Sequence, residues 1–166
     1  MSSDCVIVVD AWKECFSHDV ENHPQLPEET KAFGVYLNHA VGLIRKNFDV
    51  FHIAGGREIM DEIETEKDIV LPDVYSLPKN YDKYYFCGFH LGRCINDKPL
   101  LLHESGFDLE RLGIVFNLSL LFPCDDYNSV RNISENRGAW IPMYNYVHGI
   151  NGFTKDFAPT LNKSGE

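Results

Sequence analysis

The chain has 166 residues, 44% of them hydrophobic, and a formal net charge of −10. That length suits one domain with a full core. The acidic balance excludes a binder of nucleic-acid backbone, which needs a basic field to displace counterions, and it excludes adhesion to an anionic membrane.

The first apolar run, "CVIVVDAW", is too short for a signal peptide and runs into Asp10. Its apolarity is continuous rather than alternating, which predicts a strand buried on both faces. "HDVENHPQLP" reads as a loop. Pro27, followed by Glu28 and Glu29, opens a helix, because proline fits the first turn and acids suit the positive helix end. Phe33, Leu37, Ala40, Val41, Ile44 and Phe48 then recur at helical spacing, with Arg45 and Lys46 at the far end. "DVFHIAGG" is a second strand closed by two glycines, and "REIMDEIETEKD" a short charged helix or turn. "DIVLPDVYSLP", broken by Pro72 and Pro78, is expected to be irregular. "KYYFCGF" is the third strand, "FDLERLG" a helical turn and "IVFNLSLLF" the fourth strand. "WIPMYNYVHGINGF" suits a short edge strand or an arm over the core, and residues 161–166 a flexible tail.

Strand, helix, strand, short helix, strand, helix, strand is the alternation of an α/β fold. The expectation is a three-layer, doubly wound domain over residues 1–160, with a mostly parallel central sheet. Ligands in such sheets bind at the carboxyl ends of the strands. Asp10, Gly55-Gly56 and the segment from Gly88 to Cys94 all fall at such ends.

The five cysteines form an odd set with no CxxC pair, which fits reduced thiols and a cytoplasmic protein. Cys94 has the most chemical context. If a helix starts near Gly92, Cys94 sits in its first turn, where the helix dipole and free N–H groups favour thiolate and Arg93 adds to the effect. Those N–H groups can also hold an oxyanion. Asp10, from the neighbouring strand end, is placed to take the thiol proton. The alternative is an ordinary buried thiol. His18, His23 and His52 lack metal-ligand spacing and read as surface histidines, so neither a metal nor another cofactor is expected. Arg57 can bind a substrate carboxylate or pair with Glu58 or Asp61.

"IVVDAW" and "YYFCGFHLGRCI" resemble two motifs of the isochorismatase-like cysteine hydrolases: the first strand with its aspartate, and a glycine followed six residues later by the nucleophilic cysteine. "LGIVFNLSLLFPCDD" resembles the next strand, so the likeness runs over residues 4–126 in element order. The resemblance implies an Asp–Lys–Cys triad on a doubly wound domain, with Asp10 as base and Cys94 forming an acyl-enzyme. It implies Lys67 as the third member, with Lys79 in reserve. It also implies a cis Phe89–His90 peptide and an oxyanion hole built from the N–H groups of His90 and Cys94. The sequence departs from the pattern where Leu91, Gly92 and Arg93 replace a Thr-Asp pair. It departs again at Pro99, where the helix after Cys94 must kink, stop or restart.

Three readings of function follow. One is hydrolysis of a small amide or related C–N bond. Another is a catalytically inactive domain of the same fold that binds a protein partner or serves assembly. A small-metabolite binder using the strand ends is a third. The aromatic tail, with Trp140, Tyr144, Tyr146 and Phe153, and the resemblance both point to a homo-oligomer.

Overall fold

The structure, a computed structural model, describes residues 3–13, 24, 26–89, 94–120 and 146–147. Six strands form one sheet: β1 (Asp4–Val9), β2 (Asp49–Ile53), β3 (Ile69–Leu71), β4 (Lys83–Phe89), β5 (Leu112–Leu120) and β6 (Tyr146–Val147). Their order is β3-β2-β1-β4-β5-β6, and every adjacent pair is parallel. Two helices cross between strands: α1 (Leu26–Ile44) joins β1 to β2, and α2 (Cys94–Glu104) joins β4 to β5. This is the expected α/β sheet, with the four expected strands as parallel neighbours.

The apolar runs explain the layering. Val6 and Val8 of β1 pack on one side with Phe33, Leu37, Ala40, Val41 and Ile44 of α1. Cys5, Ile7 and Val9 pack on the other side with Ile95 and Leu102 of α2. Each strand thus serves two cores, and no position on β1 after Asp4 is left for a solvent-facing residue. Gly34 lets α1 ride close over the chain after β2, since a Cβ there would lie 2.6 Å from the Met60 methyl.

Of the helix or turn expected at residues 57–68, the structure shows turns, because the segment is pinned as a ladder partner: Trp12 bridges Ile59, and Met60 N–H donates to the Ala11 carbonyl at 2.8 Å. Two local expectations are corrected. The proline-broken stretch holds a three-residue strand, β3, before Pro72, then a 3₁₀ turn at Val74–Ser76 capped by Asp73. Helix α2 runs through Pro99 without stopping or restarting. Pro99 is only the sixth residue of the helix, so a single carbonyl, that of Ile95, loses its partner. β6 falls within the aromatic tail, as an edge strand beside β5.

A buried polar cluster fastens β3 to the rest. Arg45, just past α1, donates from Nε to Asp68 Oδ1 at 2.6 Å and from Nη2 to Oδ2 at 2.7 Å. His52 of β2 shares Oδ2 at 2.7 Å, and the His52 and Asp68 side chains are each only 1% exposed. Burial pushes the Asp68 carboxyl up, but the Arg45 and His52 hydrogen bonds outweigh it and hold the group below the usual carboxylate range. The stabilisation from Asp68 is therefore present above the unfolded-state pKa of about 3.9 and is lost as pH falls through the lower folded-state value. Asp68→Ala strips a buried histidine and an arginine of their shared anion. It should cost about 3–5 kcal/mol in a urea titration at neutral pH, and much less in acid.

Candidate active site

The strand order reverses between β1 and β4. Strands β2 and β3 extend one way and β5 and β6 the other, so the carboxyl ends of β1 and β4 are the switch point at which sheets of this kind bind ligands. Asp10 directly follows β1, and Cys94 opens α2 after β4.

Close approach of the two central strands requires Gly88. It pairs with Val9 at φ 110°, and a Cβ at that position would lie 2.6 Å from the Val9 carbonyl oxygen. On the other flank, β5 carries three extra residues between Ile114 and Ser119, a bulge that brings Ser119 opposite Gly88. The Ser119 hydroxyl closes the bulge onto the Val115 carbonyl at 2.7 Å.

Asp10 has φ 51°, the one non-glycine residue with positive φ among the described residues. Strand alternation would carry residue 10 toward α1, alongside Val6 and Val8. The left-handed turn breaks that alternation, and the carboxylate instead accepts a hydrogen bond from the Cys94 thiol, which packs against the α2-side core. The backbone is pinned on both sides of the turn. Asp10 N–H donates to the Ile53 carbonyl at 2.8 Å and Trp12 N–H to the Asp10 carbonyl at 2.7 Å. Asp10 is only 3% exposed.

Burial raises the Asp10 pKa, against the lowering pull of the Cys94 hydrogen bond and of the Lys98 and Arg57 charges. Burial and Asp10 together push the Cys94 thiol up to about 12. The expected helix-end thiolate is therefore not the resting state. The proton sits on sulfur, hydrogen-bonded to a carboxylate that is itself a stronger base than usual.

Arg57 lies beside the pair. The glycines at positions 55 and 56, with φ 59° and 79°, turn the chain after β2 so that the Arg57 guanidinium stacks 4.3 Å over the Trp12 ring. Trp12 is held in turn by Nε1–H donation to the Ala54 carbonyl at 2.7 Å. Neither expected carboxylate partner, Glu58 or Asp61, is needed to place it. On its far side, Arg57 borders an open groove of about 670 Å³ lined by Lys13, Asn38, Glu58, Asp61 and Glu62, and neither Asp10 nor Cys94 lines it.

Of the other expected residues, Phe89 ends β4 with its ring at 5.1 Å from Phe33 in the α1-side core, so only its backbone faces the chemistry at the switch point. Lys67 is 71% exposed and pairs with Glu64 at 3.8 Å. Lys79 is exposed at the amino end of β4, the wrong end of the strand. Among the described residues, the cation whose charge bears on both Asp10 and Cys94 is that of Lys98 on α2, which drew no notice in the sequence. Its spacing of four residues from Cys94 was the available signal. His90, Arg93 and the Phe89–His90 peptide lie outside the described residues, as do His18, His23, Cys15 and Cys124. His52 belongs to the Asp68 cluster rather than the surface. Among the described residues no helix is long and apolar enough to cross a membrane.

No family model and no curated protein matches the sequence. Solved structures do match. N-carbamoylsarcosine amidase from Thermoplasma acidophilum aligns with TM-score 0.53 and 17% identity, over 83% of this chain and 94% of that one. A candidate MAR1 ribonuclease from Leishmania major aligns with TM-score 0.53 and 14% identity, over 95% and 90%. A hypothetical protein from Trypanosoma cruzi aligns with TM-score 0.54 and 10% identity over the same shares. The chain has the isochorismatase-like α/β fold.

The Asp10 charge is unfavourable where it sits. A carboxyl whose folded pKa is raised contributes most stability below its unfolded pKa and loses it as pH rises through the folded value. Asp10→Asn keeps a residue tolerant of left-handed φ and removes that charge. It should raise the melting temperature at neutral pH. Because the carboxylate raises the Cys94 pKa, the same variant should speed iodoacetamide labelling of Cys94, read by mass spectrometry of its peptide.

Proposed function

We propose that this chain is a cysteine hydrolase of the isochorismatase-like type, acting on a small amide or related C–N bond. The observation that carries the reading is the Cys94 thiol hydrogen-bonded to a buried, basic Asp10 at the strand-order reversal. One structural neighbour bears the name of an amidase, and the fold is the one the two sequence motifs imply.

The chemistry follows from the pair. As sulfur attacks the carbonyl carbon, the thiol proton passes to Asp10 and the carbonyl π electrons move to oxygen. The N–H of Cys94, first residue of α2, has no partner within the helix and is the donor offered to that oxyanion. Collapse of the tetrahedral intermediate breaks the C–N bond, and Asp10 returns the proton to the leaving amine. Asp10 then takes a proton from water as it attacks the thioester, and it returns that proton to the leaving sulfur, which releases the acid and restores the free thiol. Arg57, stacked and fixed on Trp12, offers its guanidinium to a substrate carboxylate. Phosphodiester cleavage fits less well, since a thiol–carboxylate pair acts on acyl carbon and the net charge of −10 repels an RNA backbone.

An inactive binding or assembly module is the competing reading, and the exposure of Lys67 favours it. A panel of small primary amides and N-carbamoyl acids separates the two. Turnover should appear, with an acyl adduct on the Cys94 peptide in quenched reactions. Cys94→Ala should abolish the adduct, and Asp10→Asn should lower kcat/KM by about 10²–10⁴-fold. Turnover that survives Cys94→Ala, or a panel without turnover or adduct, would overturn the hydrolase reading.

A further inference from the structure

Lys67 is held at the surface by Glu64, away from Asp10 and Cys94. Helix α2 provides another lysine. Cys94 is its first residue, and Lys98 follows four residues later, one turn along the same face. The inward stripe of α2 is Ile95, Pro99 and Leu102. Cys94 and Lys98 form the adjoining half-buried stripe, at the border of the core. The helix stays continuous through Pro99, so the one-turn relation between the two residues is maintained.

We propose that Lys98 is the positioning cation of the thiol–carboxylate pair, acting through Cys94 and Asp10 from within the nucleophile's own helix. Negative charge occupies three places in turn: Asp10 at rest, sulfur during proton transfer, and the carbonyl oxygen after attack. A cation felt by Asp10 alone would pin the charge there and hold the proton on sulfur. Arg57 has that character, because its charge bears on Asp10. The Lys98 charge bears on both groups and favours the ionised form of each, at the thiol against a smaller opposing pull from Asp97. The charge can therefore move from carboxylate to sulfur without leaving its field. In this arrangement nucleophile and cation come from one helix, and the connection between β2 and β4 supplies neither.

The catalytic consequence rests on the hydrolase reading, but the electrostatic claim does not, so the test has two arms. In the first, labelling of Cys94 by iodoacetamide at mildly alkaline pH is followed for wild type, Lys98→Met, Lys98→Arg and Lys67→Met. Loss of the Lys98 charge should slow labelling about three- to tenfold through a smaller thiolate fraction, and Lys98→Arg should restore most of the rate. An unchanged rate in Lys98→Met, or a larger slowing in Lys67→Met, would overturn the assignment. Loss of the rate in Lys98→Arg as well would also overturn it, since a packing role rather than a charge would then be at work. In the second arm, with any amide the wild type turns over, Lys98→Met should lower kcat about tenfold or more with little change in KM. Absence of wild-type turnover would count against the hydrolase reading while leaving the labelling result to judge Lys98.

Discussion

The site depends on how closely β4 approaches β1 at Gly88. A side chain there would drive into the Val9 carbonyl, 2.6 Å from where its first carbon would stand. Without it, the two central strands stay paired to their last residues, Val9 against Gly88. The chain then leaves the sheet at two adjacent points, once into Asp10 and once toward Cys94. β1 and β4 begin the two oppositely running halves of the sheet, so these two exits lie at its switch point. The β5 bulge serves the same end from the other flank, with Ser119 brought level with Gly88.

Electrostatics at the switch point run against stability. The surroundings raise the pKa of the acid and of the thiol together, so the pair shares one proton in a place where either negative charge is poorly solvated. The Asp68 cluster shows the opposite arrangement. There an equally hidden carboxylate is matched by two hydrogen-bonding partners, and its charge is welcome. One anion is tied down and supports the fold, while the other is left basic and under strain, with a left-handed backbone as well. That contrast sets Asp68 among the groups that hold the fold, and it leaves Asp10 as the base of the proposed function.

Much of this was legible in the sequence, for physical reasons. Continuous apolar runs announce strands buried on both faces, and β1, β2, β4 and β5 all carry them. The stripe from Phe33 to Ile44 announces α1. Asp10 and Cys94 were legible because each directly follows a strand or a glycine-marked turn. What escaped lacks a local signature. β3 is three residues long with Ile69 and Val70 half exposed, so it carries no buried run, and it is held by the distant Arg45 and His52 rather than by its own pattern. His52 read as a surface residue because its partner, Asp68, lies sixteen residues away across a turn. Lys98 was missed because Pro99 suggested that the helix would be interrupted there, and a helix broken at that point would not have kept Lys98 in line with Cys94.

The protonated thiol has a consequence for the life of the protein. Peroxide and other oxidants attack thiolate, not thiol. Burial and the Asp10 carboxylate push the Cys94 thiol well above the usual thiol range, so thiolate is the minority form at neutral pH. Sulfenic acid therefore forms slowly on this sulfur. A redox-sensing cysteine is built the other way, with a low pKa and an open approach. The hydrogen bond to Asp10 that raises the Cys94 pKa thus also shelters the sulfur from oxidative damage.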